Sequence, residues 1–325
     1  MSAAPRLSVI IPHWNGRHHL DDCLNALRRQ TFNDHEVIVA DNGSTDGSQA
    51  YLRDAFPEVR LVELGQNRGF TGACNAGYGV SRGEFVCLLN NDTEADPGWL
   101  AAIVDVFDRC PRVGIVATKL LLFDQRDRFH SAGDIYRLDG IPGNRGVWQR
   151  DAGQYDREEP IFGACGAAAA YRRAMVDEIG FLDDRFFFSC EDVDIAWRAH
   201  LAGWEVRYAP AAVVYHKLKA SGGSGVVGSY HDGRNFLYVI WKNYPAALLR
   251  RHAGDILRAQ WRISREALRA WRGAAARARL RGQLAGLLGL GRMWPARRRI
   301  QAARRIDDRT LAARLSPVDA TGGDE

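Results

Sequence analysis

The sequence predicts an α/β fold in which a mostly parallel sheet is flanked by helices. Short aliphatic runs alternate with segments of helical periodicity through the first 110 residues, and the connections between them are short. Hydrophobic residues make up 46% of the 325 residues, which is typical of a globular protein with a sizeable core. Together, the alternation and the short spacing indicate a doubly wound arrangement.

The predicted elements follow one another closely along the chain. Strands are predicted at 7–12, 36–41, 59–64, 84–89 and 113–118. The helices between them are predicted at 20–30, 48–55, 71–80 and 99–110, and Ser44 or Thr45 is expected to cap the second one. Later helices are predicted at 172–179 and 195–202, and short strands at 205–208 and 212–215.

Two segments lack the hydrophobic periodicity of a helix or a strand. Residues 124–160 are polar and rich in Gly, Asp and Arg, and a stretch of this length is expected to form a functional loop region. The glycine-rich residues 218–229 are expected to form a flexible linker or lid.

The cysteines and the N-terminal sequence indicate the cellular compartment in which the protein is expected. The six cysteines include no Cys-x-x-Cys pair, which favours reduced thiols in a cytosolic protein over disulfides or a zinc site. The first residues show no charged-then-apolar signal segment. No run of about 18 apolar residues predicts a membrane span. We therefore expect a cytoplasmic protein.

The net charge of +5 is unevenly distributed. Residues 246–325 contain 18 arginines and 7 acidic residues, a net charge of +11. The first 245 residues carry 26 basic and 32 acidic groups, a net charge of −6. Such an asymmetry indicates an anionic partner, either a membrane or a nucleic acid.

Polar residues directly follow several predicted strands, at the edge where open α/β sheets bind their ligands. Asp41 could accept hydrogen bonds from a nucleobase or a ribose hydroxyl, or it could close an Asx turn onto Gly43. Arg68, just before the third helix, could contact a diphosphate or could be a surface arginine.

The sequence Asn90-Asn91-Asp92 follows the fourth strand and is a candidate metal site. Mg²⁺ or Mn²⁺ on a nucleotide diphosphate needs few protein ligands, because phosphates and waters supply the rest. One carboxylate with an amide oxygen meets that demand, although a simple turn explains the segment equally well when it is taken alone. His216 ends the last predicted strand and is a candidate further metal contact.

A second acidic cluster, Glu191-Asp192-Val193-Asp194, follows three phenylalanines. In an extended stretch or at a helix start, these carboxylates would lie in different environments, which separates their pKa values and roles. Alternatively, the acids stabilise the first turn of the helix that follows. Dinucleotide-binding and phosphate-loop signatures are absent from the sequence.

Taken together, these motifs resemble those of the family 2 glycosyltransferases, which have the GT-A fold, a Rossmann-like, mostly parallel sheet. The resemblance extends over residues 7–216, about two-thirds of the chain. Its closest similarity is to bacterial rhamnosyltransferases that build cell-envelope glycans. It rests on the motif segments at 9–15, 39–47, 67–70 with Asn75, 88–93, 163–167 and 191–194 with Trp197 and Arg198.

The resemblance implies an inverting transfer of a sugar, such as rhamnose, from a dTDP- or UDP-linked donor to a hydroxyl of a glycan or of a polyprenyl-diphosphate-linked acceptor. It implies Asp192 as the catalytic base and Asp92 with His216 as contacts of Mg²⁺ or Mn²⁺. The implied acceptor-binding residues are Glu191, Trp197 and Arg198. The implied donor-binding residues are Pro12, Trp14, Asn15, Asp41, Asn67, Arg68, Asn90 and Asn91. Asn90 stands where the general family motif has Asp, and rhamnosyltransferase-like members of the family often have Asn at this position.

The chain is expected to divide into three parts: a GT-A catalytic domain at 1–216, a flexible lid or linker with the start of a helical region at 217–245, and a basic helical extension at 246–325. On a helical wheel of the extension, a mostly apolar arc lies next to an arc of six arginines. The residues of the mostly apolar arc are Leu249, Ala253, Ile256, Leu257, Trp261, Ser264, Leu268 and Trp271. Tryptophans beside arginines suit a helix at a lipid surface. We expect peripheral association with the anionic inner face of the cell membrane and no nucleic-acid partner; alternatively, the helix packs on the catalytic domain.

Two other functions remain open from the residues alone. A sugar nucleotidyltransferase would be expected to carry a glycine-rich phosphate loop with Arg and Lys after the first strand, which this chain lacks. A non-catalytic sugar or nucleic-acid binding module would suit the basic tail, but the complete acidic cluster at 191–194 favours an enzyme.

Overall fold

A computed structural model describes residues 4–218 and 225–318 of the chain. The strands in these residues are β1 Leu7–His13, β2 His35–Asp41, β3 Arg60–Glu63, β4 Phe85–Leu89, β5 Thr93–Ala95, β6 Val113–Leu122, β7 Phe129–Ser131, β8 Asp134–Tyr136, β9 Pro142–Asn144, β10 Glu159–Pro160, β11 Ala168–Arg172 and β12 Glu205–His216. The helices are α1 Leu20–Arg28, α2 Ser48–Ala55, α3 Gly69–Val80, α4 Trp99–Arg109, α5 Arg173–Ile179, α6 Glu191–Leu201, α7 Val226–Asn243, α8 Ala246–Arg251, α9 Ala253–Arg269, α10 Ala274–Ala302 and α11 Asp308–Ala312.

The main sheet confirms the predicted α/β class. Its strand order is β10-β12-β6-β11-β4-β1-β2-β3, with β5 beside β12 and β7 beside β6. Strands β3, β2, β1 and β4 are mutually parallel, whereas β11 lies antiparallel between β4 and β6. The two short strands predicted near the end of the sheet are one strand, β12, with a register shift between Ala209 and Val213.

Helices cover both faces of the sheet. One buried cluster contains side chains of α1, α2 and α4, represented by Leu24, Leu52 and Ile103. The cluster on the other face contains side chains of α3, α5 and α6. Tyr244 and Met293 belong to this second cluster and are fully buried. The chain beyond residue 225 therefore shares a hydrophobic core with the sheet.

Some local predictions are corrected by the structure. Helix α2 begins at Ser48, and Asp46 Oδ1 accepts from its backbone N–H at 3.1 Å, so neither Ser44 nor Thr45 caps this helix. Of the predicted lid, residues 219–224 lie outside the described residues, and 226–229 belong to α7. The segment 124–160 contains the short strands β7 to β10.

Helix α10 packs closely on α7 through a row of small residues. A methyl group at Gly282 would meet the Tyr230 carbonyl, and one at Gly289 would meet the Tyr238 side chain. Gly291, two residues further along, faces open space. Within the described part of the chain, none of the helices is both long and apolar enough to cross a membrane.

We expect Gly282→Ala to lower the free energy of unfolding by about 1–3 kcal/mol, because the added methyl meets rigid backbone of α7. Gly291→Ala is the matched control in the same helix. It should raise the free energy of unfolding by about 0.5–1 kcal/mol, since only the helix propensity changes. Chemical denaturation of both variants measures these changes. Equal changes in the free energy of unfolding would show that the stability does not depend on close contact between α10 and α7.

Candidate active site

The carboxyl ends of the parallel strands bring most of the predicted site residues to one edge of the sheet. β1 ends at His13, next to Asp41 at the end of β2, and β4 leads into Asn90. β12 ends at His216, which pairs with Thr93 of the neighbouring antiparallel strand β5. Trp14 follows β1 and is exposed. The arrangement follows from parallel strands having their carboxyl ends on the same side.

Asp41 is buried, and one of its two oxygens closes the Asx turn considered for it. Its Oδ2 accepts from the backbone N–H groups of Gly43 at 3.2 Å and Ser44 at 3.1 Å, as in an Asx turn, and from Gln49 Nε2 at 2.8 Å. Its Oδ1 has no hydrogen-bond partner. A fixed carboxylate with one unused oxygen can accept a hydrogen bond from a ligand.

Two asparagines shape the loops beside Asp41. Asn15 has a left-handed φ of 49° and accepts from Thr45 N at 2.8 Å. Asn67 Oδ1 accepts from Gly69 N at 2.8 Å, at the start of α3. Arg68 is exposed at that same helix start. The first turn of α3 and the Arg68 guanidinium therefore lie together, an arrangement that suits an anionic ligand.

A histidine missed by the sequence reasoning orients Asn91. His13 Nδ1 lies 2.9 Å from Asn91 Nδ2, and His13 Nε2 lies 2.8 Å from Ser48 Oγ. The amide nitrogen can only donate, so Nδ1 accepts and the ring proton is assigned to Nε2. Burial lowers the pKa of His13, which favours this neutral ring. His13 lies inside the first motif, and its role requires knowing that β4 is its neighbour.

Asp92 and His216 meet at the rim of the sheet. Asp92 Oδ1 lies 3.1 Å from His216 Nε2, and the buried Asp92 Oδ2 has no partner. Burial opposes ionisation of Asp92, but the hydrogen bond from His216 and the other favourable interactions of the carboxylate together outweigh it, and the pKa of this carboxyl is below its usual value. Asn90 and Asn91 follow β4 directly before Asp92. An ionised carboxylate with a free oxygen beside an imidazole fits a divalent ion that takes its remaining ligands from phosphate and water.

A second histidine, His130, stands behind His216. The two Nδ1 atoms are 3.1 Å apart. Burial and the neighbouring His216 lower the pKa of His130 to about 3, so its ring is neutral. No cluster of three or more His, Cys, Asp or Glu side chains that could hold a metal by themselves is present in residues 4–218 and 225–318. The candidate ligand set is therefore small.

The second acidic cluster forms the first turn of α6. Asp192 Oδ2 accepts from Gly166 N at 2.8 Å, and Oδ1 accepts from Val193 N at 2.7 Å. Burial raises the pKa of Asp192 despite these hydrogen bonds. Burial and the neighbouring Asp192 raise the pKa of Glu191 well above its usual value. Asp192 is thus an oriented carboxylate whose affinity for a proton is increased.

Asp194, two residues further on, has a structural role. It is fully buried and lies 2.8 Å from Arg198 Nε, 2.8 Å from Lys242 Nζ and 2.9 Å from Asn243 Nδ2. These partners lower the pKa of Asp194 although burial opposes them. Its hydrogen-bonding capacity is used within the protein, so it is not available to a substrate hydroxyl.

The structure corrects the acceptor-binding role predicted for Trp197 and Arg198. Trp197 is fully buried, in contact with the rings of Phe162 and Tyr244. Arg198 is also buried, and it donates to the carbonyls of residues 179, 180 and 181 as well as to Asp194. Helical spacing puts both side chains on the inner side of α6, where they pack instead of reaching a ligand.

The loop before α6, residues 186–190, is held in an unusual backbone conformation. Phe187, Ser189 and Cys190 all have left-handed φ values, of 64°, 69° and 66°. Such values cost non-glycine residues roughly 1–3 kcal/mol each unless the surroundings stabilise them. This 186–190 loop leads directly into Glu191 and Asp192.

Helix α7 supplies those surroundings. The Asn235 Nδ2 atom, fully buried, lies 2.8 Å from the Phe188 carbonyl oxygen and 2.7 Å from that of Ser189. Asp232 accepts from Ser189 Oγ at 2.6 Å, and the His231 ring stacks on Phe187 with centroids 5.3 Å apart. These residues are 40 or more positions downstream in sequence, and no local pattern predicted their contact with the loop.

The chain is similar to proteins of one known family. The model for glycosyl transferase family 2 matches residues 8–180, more than half of the chain. The chain belongs to this family. Over 239 residues it is also 30% identical to the N-acetylglucosaminyl-diphospho-decaprenol L-rhamnosyltransferase of Mycobacterium tuberculosis, covering 66% of this chain and 78% of that protein.

Solved glycosyltransferases share the fold. A mannosyltransferase from Pyrobaculum calidifontis, in complex with GDP-Man and Mn²⁺, aligns with 96% of this chain and 86% of its own at a TM-score of 0.53 and 19% identity. S. aureus TarS 1-349 aligns over 92% of this chain and 86% of its own at a TM-score of 0.59 and 18% identity. The predicted family, its GT-A fold and the resemblance to bacterial rhamnosyltransferases are confirmed, and family membership identifies the protein as a glycosyltransferase rather than a nucleotidyltransferase or a binding module.

Proposed function

We propose that this family 2 glycosyltransferase moves a sugar, with rhamnose the first candidate, from a dTDP- or UDP-linked donor to a glycan hydroxyl by an inverting single displacement. The observation that carries the proposal is Asp192, a carboxylate oriented by Gly166 N–H at the start of α6, with a raised pKa. The relative that acts on N-acetylglucosaminyl-diphospho-decaprenol supports rhamnose as donor sugar and a polyprenyl-diphosphate-linked glycan as acceptor.

The donor nucleotide would bind at the carboxyl ends of β1, β2 and β4. Asp41 offers its unpartnered Oδ1 to the base or ribose, and Pro12 and the exposed Trp14 flank the same edge. Arg68, at the start of α3, would contact the diphosphate. Asn15 and Asn67 would contribute to donor binding by stabilising the conformations of the loops around the site. Asn90 and Asn91 directly precede Asp92 in the chain.

Asp192 would take the proton from the acceptor hydroxyl as the new glycosidic bond forms. An inverting displacement requires this base on the face of the sugar opposite to the leaving diphosphate. The raised pKa makes Asp192 a stronger base than an exposed aspartate, and its two backbone hydrogen bonds fix its direction. Glu191, buried with Oε2 unpartnered, would bind an acceptor hydroxyl.

Asp92 and His216 would hold Mg²⁺ or Mn²⁺ against the donor diphosphate, using the unpartnered Asp92 Oδ2. When bound, such an ion neutralises negative charge on the departing diphosphate. His130 would orient the His216 ring through its Nδ1 contact. With a lipid-linked acceptor, the enzyme would work in the cytoplasm as a peripheral protein at the anionic inner face of the cell membrane.

Asp192→Asn should lower the transfer rate by about 10²–10⁴-fold while the donor nucleotide still binds. Because the base must be ionised, the wild-type rate should fall as pH decreases through the raised pKa of Asp192, above the usual aspartate value of about 4. The variant should lose this dependence. Rate measurements across pH with a water-soluble acceptor analogue, together with nucleotide titration, check both points.

Asp194→Asn serves as the comparison, because it removes a paired carboxylate from the same helix turn. It should lower the free energy of unfolding by about 3–5 kcal/mol, since Lys242 and Arg198 lose a buried partner. Asp192→Asn should leave thermal stability unchanged or higher, because the native state disfavours the Asp192 charge. A folded Asp192→Asn enzyme with near-normal turnover would exclude Asp192 as the base.

Asp92→Ala should reduce both Mn²⁺-dependent nucleotide binding and transfer more strongly than His216→Ala, because the carboxylate supplies the ligand charge. Calorimetric titration of the nucleoside diphosphate with and without Mn²⁺ measures binding independently of turnover. Asp34→Ala, an exposed acid directly before β2, is the control and should change neither. Full transfer activity in excess chelator would refute the metal assignment.

A further inference from the structure

Helices α9 and α10 form a hairpin that has one packed side and one exposed side. The packed side includes Ile256 and Ala267 of α9, which are buried, and the glycines of α10 that face α7. The two helices contact each other through Gln283, whose Oε1 accepts from Ser264 Oγ at 3.0 Å. The inner half of the arc predicted from the sequence therefore packs on the protein.

The other half of that arc stays exposed, and α10 extends it. The large apolar side chains concerned are between 49% and 79% exposed. We call this set the outer face; its members are Leu257, Trp261, Leu268 and Trp271 with Leu284, Leu287, Leu288 and Trp294. The four residues from α10 had not been predicted, because that helix alternates its leucines with glycines and shows no single apolar stripe.

The exposed sets of the two helices lie on the same side of the hairpin. Residues of an α-helix are rotated by about 100° each. On α10, Leu284 and Leu287 thus lie opposite Gly282 and Gly289, which face α7, and Leu288 lies beside them. On α9, Trp261 lies to one side of the Ser264 contact with α10 and the buried side chains lie to the other. Because the helices are antiparallel, both exposed sets point away from α7.

Arginines border the outer face and give it one sign of charge. The exposed arginines of the hairpin are Arg258, Arg262, Arg265, Arg269, Arg272, Arg277, Arg281, Arg292, Arg298 and Arg299. Residues 253–302 contain only two acidic side chains, Asp255 and Glu266. Aromatic and aliphatic side chains beside a row of cations match the apolar interior and anionic headgroups of a bilayer surface.

We propose that the outer face docks on an anionic lipid bilayer, an inference that rests on the proposed lipid-linked acceptor. A second copy of the chain is a poorer occupant, because two arginine-bordered faces would repel each other. A nucleic acid would use the arginines but would leave eight large apolar side chains in water. An anionic bilayer matches both the apolar and the cationic parts of this face.

The outer face is connected to the catalytic machinery by two ionic or polar contacts. Arg279 of α10 lies 3.0 Å from Asp232 of α7, and Asp232 accepts from Ser189 in the loop before α6. The hairpin and that loop are thus part of one packed body. A bilayer bound to the outer face would therefore lie at a fixed orientation to Asp192, which suits an acceptor whose lipid stays in the membrane.

Flotation of the full-length protein with vesicles tests the proposal. We expect binding to vesicles of phosphatidylcholine with 30% phosphatidylglycerol, weakening as salt is raised, and little binding to phosphatidylcholine alone. Trp261→Gln with Leu288→Gln should reduce the partition constant roughly tenfold or more. Arg262→Gln with Arg269→Gln should reduce it roughly thirty-fold, from the known contribution of basic residues near an anionic surface.

Matched controls are Trp148→Gln, an equally exposed tryptophan outside the hairpin, and Arg29→Gln with Arg157→Gln, two exposed arginines elsewhere; none should change vesicle binding. All variants should keep wild-type transfer to a water-soluble acceptor analogue, which separates this proposal from the proposed function. The assignment would be overturned if the wild type did not bind the vesicles, or if the outer-face variants bound them as strongly as the wild type does. A dimer in solution that these variants dissociate would also overturn it.

Discussion

The candidate active site of this glycosyltransferase depends on hydrogen bonds between one helix and one strained loop. Three left-handed residues in the 186–190 loop direct the chain into α6, and Asn235 of α7 hydrogen-bonds to the carbonyl groups that this conformation turns inward. Without those donors, buried carbonyls would lose their partners, at a cost of roughly 1–3 kcal/mol each. The position of Asp192 therefore depends on a helix that follows it by more than 30 residues.

A buried charge cluster reinforces the same contact. Lys242 of α7 lies between Asp194 of α6 and Asp183, while Arg198 links Asp194 to carbonyls at the end of α5. Removing one partner would leave a buried charge uncompensated. The cluster thus fixes the register of α6, whose outward side carries Asp192 and whose inward side carries Trp197. The C-terminal helices share the core of the catalytic unit, and their hydrophobic cluster is continuous with that of the sheet.

The sequence predicted what local periodicity and strand-end positions can reveal. The first four strands and their helices, and the meeting of Asp41, Asp92 and His216 at one sheet edge, follow from parallel strand order. The antiparallel β11 was missed, because its alanines carry no strand pattern. His130 and Asn235 were missed because their roles arise from contacts between distant segments. Trp197 and Arg198 were misassigned because proximity to an acidic motif does not say which side of a helix a residue occupies.

The most direct test of this account is the effect of Asn235→Leu on transfer and on donor binding, measured on protein shown to be folded. The leucine keeps the size of the side chain but removes both donors, so kcat should fall tenfold or more while the affinity for the donor nucleotide stays within about twofold. Ser189→Ala, which removes the bond to Asp232 without changing the core, should have a smaller effect in the same direction. Normal kcat in both folded variants would contradict the claim that α7 positions Asp192, the proposed catalytic base.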